Sequence, residues 1–264
     1  MGEGIAHAAE KLVRAGGGAS IDWEGARIGT HFQPIFDVTR RACLGFEALA
    51  RLRDPDGGES SAESLFSGVG AEARGLLDWA CRALHLRNFA TVDPGDRMLF
   101  MNVHPEAAAR DARRGRELGN LIRYYGLAPR RVCIEIVETS CSDDGALVEA
   151  VRAYREMGAR IAIDDFGIAC SDIERVRRLR PDIVKVDRSV IAACAAGAMP
   201  RGSLRAMVEE LRASGAKVVI EGVETREQML WAIEAGAHYL QGIHLAAPGP
   251  RLEELGDGQV RLAA

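Results

Sequence analysis

The sequence predicts a TIM-like (β/α)8 barrel, an α/β fold, in which the first strand runs antiparallel to the others. From residue 28 onward, eight short apolar segments of strand-like composition alternate with segments of helical periodicity. This order is typical of α/β folds built on a parallel sheet. Only residues 38–42 separate the first two strand segments. A connection that short forms an antiparallel hairpin, because a parallel crossover needs about a dozen residues.

The predicted elements follow one another along the chain with short connections. The strands are predicted at 29–37, 43–50, 97–103, 131–137, 160–165, 182–187, 217–222 and 239–245. The helices between them are predicted at 62–90 (long enough for two), 105–125, 143–157, 172–179, 201–214 and 225–235. Gly126, Gly158 and Gly215 directly follow helical patterns, where a glycine is expected to end a helix.

The barrel is predicted to occupy residues 28–250, with a short segment on either side. Residues 5–13 have an amphipathic pattern and are followed by glycines at 16–18. We therefore predict a helical leader and a glycine-rich linker over 1–27. Residues 251–264 are predicted to be a C-terminal tail.

The composition limits the classes of partner. The chain has 47% hydrophobic and 27% charged residues, as in globular proteins. Its net charge of -4 gives no general attraction to a nucleic acid polymer or an anionic membrane, so neither is predicted as a partner. The six cysteines show no C-x-x-C spacing, and no apolar run is long enough to span a bilayer. These features favour a cytoplasmic location.

Seven of the strand segments end in, or carry near their end, a polar residue able to hold a metal or a phosphate. These residues are Glu47, Asn102, Glu135, Asp164, Lys185, Glu221 and Gln241. Charge at the end of a buried strand is costly unless it is paired or bound to a metal. In parallel barrels the active site lies at the C-terminal rim of the strands. The pattern therefore predicts one polar site at that rim.

The residue types at this site favour a hard divalent cation. Carboxylate and amide oxygens suit magnesium or manganese rather than zinc. The adjacent Asp164 and Asp165 can serve two cations, as in two-metal phosphoryl chemistry. Lys185 adds a cation for a phosphate or a developing hydroxide, Glu221 offers a base, and Gln241 can orient a water or a ligand. A protein kinase is excluded, because no H-R-D motif or glycine-rich loop accompanies the D-F-G sequence.

These residues and their spacing resemble those of the EAL-domain family of cyclic di-GMP-specific phosphodiesterases over roughly 28–250. The matching motifs are Gln33-Pro34-Ile35, Glu47-Ala48-Leu49 with Arg51, Asn102, Glu135-Ile136-Val137-Glu138, Asp164-Asp165-Phe166-Gly167, Lys185-Val186-Asp187, Glu221-Gly222-Val223-Glu224 and Gln241-Gly242. The family's barrel also has an antiparallel first strand. The resemblance implies metal-dependent hydrolysis of cyclic di-GMP to linear pGpG in bacterial second-messenger signalling, and a possible homodimer.

The resemblance also implies a role for each matched residue. The first of two Mg²⁺ or Mn²⁺ ions would be held by Glu47, Asn102, Glu135 and Asp164. The second would be held by Asp164 and Asp165, with Glu221 contributing to the centre. Catalysis would depend on Lys185, Glu221 and Glu47. Substrate would be bound by Gln33, Arg51, Gln241 and Glu224, and Glu138 would anchor a loop.

One loop departs from the family pattern. After D-D-F-G the family usually continues T-G-Y-S-S, whereas this chain continues Ile168-Ala169-Cys170-Ser171-Asp172. In the family this loop positions the second metal and contributes to the dimer contact, so weakened activity is expected. The alternative is a non-catalytic receptor that binds cyclic di-GMP in the same pocket.

Overall fold

The computed structural model describes residues 12–15, 18–23, 25–54, 58–61, 66, 68–93, 95–103, 107, 117–137, 144–168 and 173–250. Its strands are β1 (Leu12–Ala15), β2 (Gly18–Trp23), β3 (Ala26–Asp37), β4 (Ala42–Arg53), β5 (Glu59–Ser61), β6 (Met98–Val103), β7 (Val132–Val137), β8 (Arg160–Phe166), β9 (Ile183–Val186), β10 (Lys217–Ile220) and β11 (Tyr239–Leu240).

Eight of these strands close into a barrel, as the sequence predicts. The order around the barrel is β3, β11, β10, β9, β8, β7, β6 and β4, and β4 pairs with β3 to close it. β3 is antiparallel to both of its barrel neighbours, β4 and β11. The remaining neighbours within the barrel pair in parallel. The predicted antiparallel first strand is therefore confirmed.

The helices lie between the strands and cover the barrel. They are α1 (Ala71–Val92), α2 (Glu117–Tyr124), α3 (Asp144–Met157), α4 (Ile173–Leu179), α5 (Arg188–Ala195), α6 (Arg201–Ala213) and α7 (Arg226–Glu234), with a 3₁₀ turn at Pro129–Arg131. Gly126, Gly158 and Gly215 have φ values of 77°, 96° and 94°, as expected for glycines that follow a helix. No helix among the described residues is both long and apolar enough to cross a membrane.

Helix α5 was not predicted from the sequence. It has only eight residues and directly follows β9, so no loop marks its start. The signal that could have identified it is Asp187, whose side chain accepts a hydrogen bond from Ser189 N at 2.8 Å. An aspartate in this position satisfies a backbone donor at the beginning of a helix.

The prediction of a helical leader and linker over 1–27 is wrong wherever the structure describes this segment. Residues 1–11 lie outside the described residues, as does the predicted tail 251–264. β1 and β2 form an antiparallel hairpin, and β2 continues onto β3. Ile21 and Trp23 of β2 are buried in one cluster with Leu77 and Leu84 of α1. The alternating apolar residues Ala19, Ile21 and Trp23 carried this strand signal.

β3 and β4 continue past the barrel wall at the C-terminal rim. Only residues 45–48 of β4 pair with β6, whereas residues 51–53 pair with β5. Glu47 therefore lies in the middle of β4 and not near its end, which corrects the predicted strand end at residue 50. It is nevertheless at the rim, because the barrel part of β4 ends one residue later. Beyond it the strands form a raised antiparallel sheet beside the site.

A buried polar network joins the N-terminal strands to α1. Asn88 Oδ1 accepts from Ala19 N at 2.7 Å, and Asn88 Nδ2 donates to Ala19 O at 3.0 Å and to Thr30 Oγ1 at 3.2 Å. His85 Nδ1 lies 2.8 Å from the same hydroxyl. Burial lowers the pKa of His85 to about 4, because desolvation disfavours the charged imidazole.

We expect His85 to make the protein sensitive to mild acid. Its pKa of about 4 in the folded state lies below the unfolded value of about 6.5. The unfolded state therefore takes up a proton first, and stability is lost as the pH falls from 6.5 to 4. The free energy of unfolding should decrease by about 3 kcal/mol from this group. Urea denaturation of wild type and His85→Gln across this range measures it; equal pH dependence in the two proteins would contradict the assignment.

Candidate metal centre and active site

The alternation of side-chain direction along the barrel strands explains why the predicted site residues converge. Seven buried residues fill the barrel interior below the rim: Ile35, Met98, Phe100, Cys133, Ala162, Ile183 and Val219. Successive side chains of a strand point to opposite faces, so residues two apart share one face. Asn102, Glu135, Asp164, Lys185 and Glu221 each come two residues after one of these apolar residues. They therefore form the next layer of the barrel interior, at the C-terminal rim.

Lys185 occupies the centre of this layer. Its Nζ lies 3.1 Å from Glu47 Oε2, 2.8 Å from Glu135 Oε1, 3.1 Å from Asp164 Oδ1 and 2.7 Å from Glu221 Oε1. The lysine is 1% exposed. One ammonium group thus faces four carboxyl groups, which would together carry excess negative charge if all four were ionised.

Burial first, and then the neighbouring charges, change the pKa values of these acidic groups. Burial, opposed by Lys185, raises the pKa of Asp164 to about 6. Burial also raises the pKa of Glu135 and Glu221 well above the usual value, and neighbouring carboxylates add to the effect. Burial alone would lower the pKa of Lys185, but the surrounding carboxylates raise it well above its usual value. Lys185 is therefore an ammonium cation here.

Glu47 differs from the other three carboxylates around Lys185 because, among the described contacts, it alone accepts from two side-chain amides as well as from the lysine. It accepts from Gln241 Nε2 at 2.6 Å, from Lys185 Nζ at 3.1 Å and from Asn102 Nδ2 at 2.9 Å. Burial acts to raise its pKa, but the charge of Lys185 and these hydrogen bonds outweigh burial and lower it. Glu47 is thus the carboxylate held most firmly in its ionised form.

The carboxylates fall into two triplets suited to cations. Glu47, Glu135 and Asp164 form one, and Asp164, Asp165 and Glu221 form the other; within each, one oxygen per residue lies within 4.8 Å of the others. Within the part of the chain that the structure describes, both oxygens of Glu135 are buried without a hydrogen bond of good geometry, although Lys185 Nζ is at ion-pair distance. Hard oxygen ligands with excess negative charge fit divalent cations such as Mg²⁺ or Mn²⁺. Asp164 belongs to both triplets.

The backbone between the two triplets is unusual. Asp165 has φ of 60°, a left-handed conformation that non-glycine residues adopt at a cost. Gly167 follows with φ of 107°, and a Cβ atom there would lie 2.5 Å from Val190 Cγ2. The D-D-F-G sequence thus turns sharply at the rim, and this turn places the second aspartate next to the first.

Gln241 is held beside Glu47 by a tightly packed glycine. Gln241 N donates to Ile220 O at 3.0 Å, and Val223 N donates to Gln241 O at 3.0 Å. A Cβ atom on the following Gly242 would lie 2.1 Å from Val223 O. The Q-G pair therefore requires glycine for close backbone approach, and this approach fixes where the glutamine side chain begins.

The predicted substrate-binding residues differ in whether they contact the acidic cluster. Gln33 lies opposite Glu47 in the β3–β4 register, and its Oε1 accepts from Gln241 Nε2 at 3.1 Å. Arg51 is half-buried on the raised sheet, where its Nη1 donates to Ala50 O at 3.1 Å. Glu224 is exposed after β10, and no described contact joins its side chain to the cluster. Glu138, the predicted loop anchor, lies outside the described residues.

Sequence reasoning missed how this site is held together. It predicted Lys185 as a cation for a phosphate or a developing hydroxide and did not foresee that its ammonium lies between four carboxylates. It named Asn102 as a metal ligand; in the structure the Asn102 amide nitrogen faces Glu47. Of the altered loop, only Ile168 is described, and its side chain is 50% exposed. No sequence signal distinguishes a lysine that neutralises carboxylates from one that awaits phosphate.

The chain is similar to known proteins over most of its length. The family model of the EAL domain matches residues 20–248. The chain is 28% identical over 228 residues to the probable cyclic di-GMP phosphodiesterase PdeB of Escherichia coli, covering 83% of this chain and 42% of PdeB. It thus spans less than half the length of that relative.

Solved structures show the same fold. BlrP1 of Klebsiella pneumoniae, solved as a complex of calcium and cyclic di-GMP, superimposes with a TM-score of 0.74 at 27% identity, over 84% of this chain and 55% of BlrP1. A standalone EAL protein of Vibrio cholerae with bound cyclic di-GMP gives a TM-score of 0.75 at 26% identity, over 84% and 92% of the two chains. With the family model matched over most of its length, the chain belongs to the EAL domain family.

Proposed function

We propose that this chain hydrolyses cyclic di-GMP to linear pGpG with the help of two Mg²⁺ or Mn²⁺ ions. The observation that carries the proposal is the pair of carboxylate triplets that share Asp164 around Lys185. Two adjacent cation sites are the arrangement that clamps the attacking and leaving oxygens in phosphoryl transfer. The names of PdeB and of the cyclic di-GMP complexes support this choice of substrate.

Two groups of residues would bind the two metal ions. Glu47, Asn102, Glu135 and Asp164 would hold the first ion, and Asp164, Asp165 and Glu221 the second. Bound divalent ions would supply polarisation of the phosphoryl group and activation of a water nucleophile.

The chain's own groups complete the reaction. In the proposed reaction the oxygen of water bonds to phosphorus, one phosphodiester P–O bond breaks, and the leaving oxygen gains a proton. Lys185 would hold the attacking water through its ammonium group. Glu221 would act as the base, because burial raises its pKa and makes its carboxylate more basic than that of an exposed glutamate. Arg51, Gln241 and Glu224 would contact substrate.

Product analysis tests the proposal directly. The purified chain is incubated with cyclic di-GMP and Mg²⁺ or Mn²⁺, and the nucleotides are separated by chromatography. We expect pGpG to form with either ion and its formation to stop when a chelator is added. Binding of cyclic di-GMP without any turnover, in both metals and at alkaline pH, would refute the enzymatic function.

A second candidate is a receptor that binds cyclic di-GMP without cleaving it. The altered loop after Gly167 favours it, because a displacement of about 1 Å can cost roughly 100-fold in rate. The complete set of carboxylates favours the enzyme. The homodimer and the cytoplasmic location remain predictions; the molar mass in solution tests the first.

Restoring the family's loop sequence should raise the rate if the loop is the weak support. We expect the combined variant Ile168→Thr, Ala169→Gly, Cys170→Tyr to increase kcat about tenfold, with little change in the affinity for substrate. The reason is that the loop follows Asp165 and therefore affects the second cation more than the first. Steady-state kinetics as a function of metal concentration measure this. An unchanged kcat with unchanged metal dependence would contradict it.

A further inference from the structure

We propose that Gln33 is a positioning residue that holds the side-chain amide of Gln241 in one orientation and acts on the acidic centre only through it. This inference rests on the proposed function and gives Gln33 a role other than the substrate contact predicted from the sequence. It starts from three side chains in a row: Gln33 on β3, Gln241 after β11 and Glu47 on β4.

The amide nitrogen of Gln241 has two acceptors. Its Nε2 donates to Glu47 Oε2 at 2.6 Å and to Gln33 Oε1 at 3.1 Å. A side-chain amide carries two N–H donors on nitrogen and an acceptor on oxygen, so these two bonds use both donors. Rotating the amide by half a turn would place its oxygen against the oxygens of Glu47 and Gln33. The two acceptors together therefore select one orientation.

Gln33 is oriented in turn by the backbone. Its Nε2 faces Ala246 O at 3.5 Å, at the long end of a hydrogen bond. The segment that carries Ala246 is fastened to β3 because Phe32 N donates to Gly249 O at 2.8 Å and Gly249 N donates to Phe32 O at 3.1 Å. Since the nitrogen of Gln33 faces a carbonyl, its oxygen faces Gln241. A fixed backbone carbonyl thus sets the orientation of both amides.

The oxygen of the Gln241 side chain has no hydrogen-bond donor among the described residues. Gln241 is 3% exposed, and its Oε1 is buried without a hydrogen-bond partner in the described part of the chain. A buried acceptor in a folded protein normally has a donor. Gln33 therefore keeps this oxygen turned away from Glu47.

The first test needs no turnover. In the metal-free protein, solvent exchange of the Gln241 side-chain N–H groups is measured by NMR in wild type, Gln33→Met and Gln33→Glu. Methionine removes the acceptor at similar length, whereas glutamate keeps it. We expect exchange to be about tenfold faster in Gln33→Met, the effect of losing one hydrogen bond, and less accelerated in Gln33→Glu, which keeps the acceptor for Gln241 but loses the donor to Ala246 O. Arg27→Gln, on the exposed end of the same strand, is the matched control.

The second test is a double-mutant cycle in kcat. If Gln33 acts only through Gln241, we expect Gln33→Met to lower kcat about tenfold with KM changed less than about twofold. The double variant Gln33→Met, Gln241→Met should then be no slower than Gln241→Met alone. Additive losses, or a raised KM with unchanged kcat, would show direct substrate contact and overturn the proposal.

The two tests separate this inference from the proposed function. In one outcome, N–H exchange is faster in Gln33→Met than in wild type, but wild type binds cyclic di-GMP without cleaving it. This outcome supports the positioning role and refutes the enzymatic function. In the other outcome, N–H exchange is equal in Gln33→Met and wild type, and wild type does cleave cyclic di-GMP. This outcome overturns the positioning role and supports the enzymatic function.

Discussion

Lys185→Met should strongly destabilise the metal-free protein and slow any phosphodiesterase reaction. Its ammonium is the group that faces Glu47, Glu135, Asp164 and Glu221. Removing one partner from a buried ionic group leaves uncompensated charge and typically costs about 3–5 kcal/mol. We expect a loss of this size in the free energy of unfolding at pH 8, together with a decrease in kcat of at least roughly 100-fold.

The metal and pH dependence of this loss identify its cause. Mn²⁺ should restore more stability to Lys185→Met than it adds to wild type, because added cations replace the missing positive charge. The loss should also shrink at pH 5, where carboxylates of raised pKa take up protons. Chemical denaturation with and without Mn²⁺ at both pH values measures this. Lys217→Met is the matched control, since Lys217 is exposed at the start of β10. Equal stability of Lys185→Met and wild type without metal would contradict the account.

The sequence predicted the barrel well because its signals are local. Alternation of apolar segments and the five-residue connection before β4 are visible without any tertiary information, and both were confirmed. The N-terminal hairpin was missed because its strand pattern is short and lies beside three glycines. Its strand state depends on burial of Ile21 and Trp23 against α1, which is a contact between distant parts of the chain.

The site was predictable as a set of residues but not as an arrangement. Strand period and barrel geometry dictate that residues such as Glu135 and Asp164 meet at one rim. They do not dictate that Asp165 turns into the left-handed region, or that Gln241 joins Glu47 to Gln33. Those features depend on side-chain packing and on close backbone contacts such as that of Gly242 with Val223. A single sequence carries no direct signal for such contacts.

Asp164→Asn should abolish activity and at the same time stabilise the metal-free protein. Asp164 is the carboxylate common to both triplets, so its loss should weaken both cation sites. We expect turnover to decrease on the order of 1000-fold, because each divalent ion supplies several kcal/mol of transition-state stabilisation. Asp165→Asn, which changes only one triplet, should leave one Mn²⁺ bound. Electron paramagnetic resonance of Mn²⁺ counts the ions in each variant.

The stability gain follows from the pKa of Asp164. Its folded-state pKa of about 6 lies above the unfolded value of about 3.9, so the folded state binds the proton more tightly. Wild type therefore loses stability from this group as the pH rises from about 4 through 6, and the loss is complete at pH 8. Asparagine carries no such charge. We expect metal-free Asp164→Asn to be more stable than wild type at pH 8 by on the order of 3 kcal/mol.

The same linkage requires the gain to disappear in acid. At pH 4 Asp164 is protonated in the folded wild type, so the two proteins should have nearly equal free energies of unfolding. Adding Mn²⁺ at pH 8 should reverse the order, because only wild type gains stability from two bound ions. Denaturation curves at pH 4 and 8, with and without Mn²⁺, give all four comparisons. The account would be contradicted if metal-free Asp164→Asn were less stable than wild type at pH 8. That result would show that the contact with Lys185 stabilises the ionised Asp164 carboxylate by more than burial destabilises it.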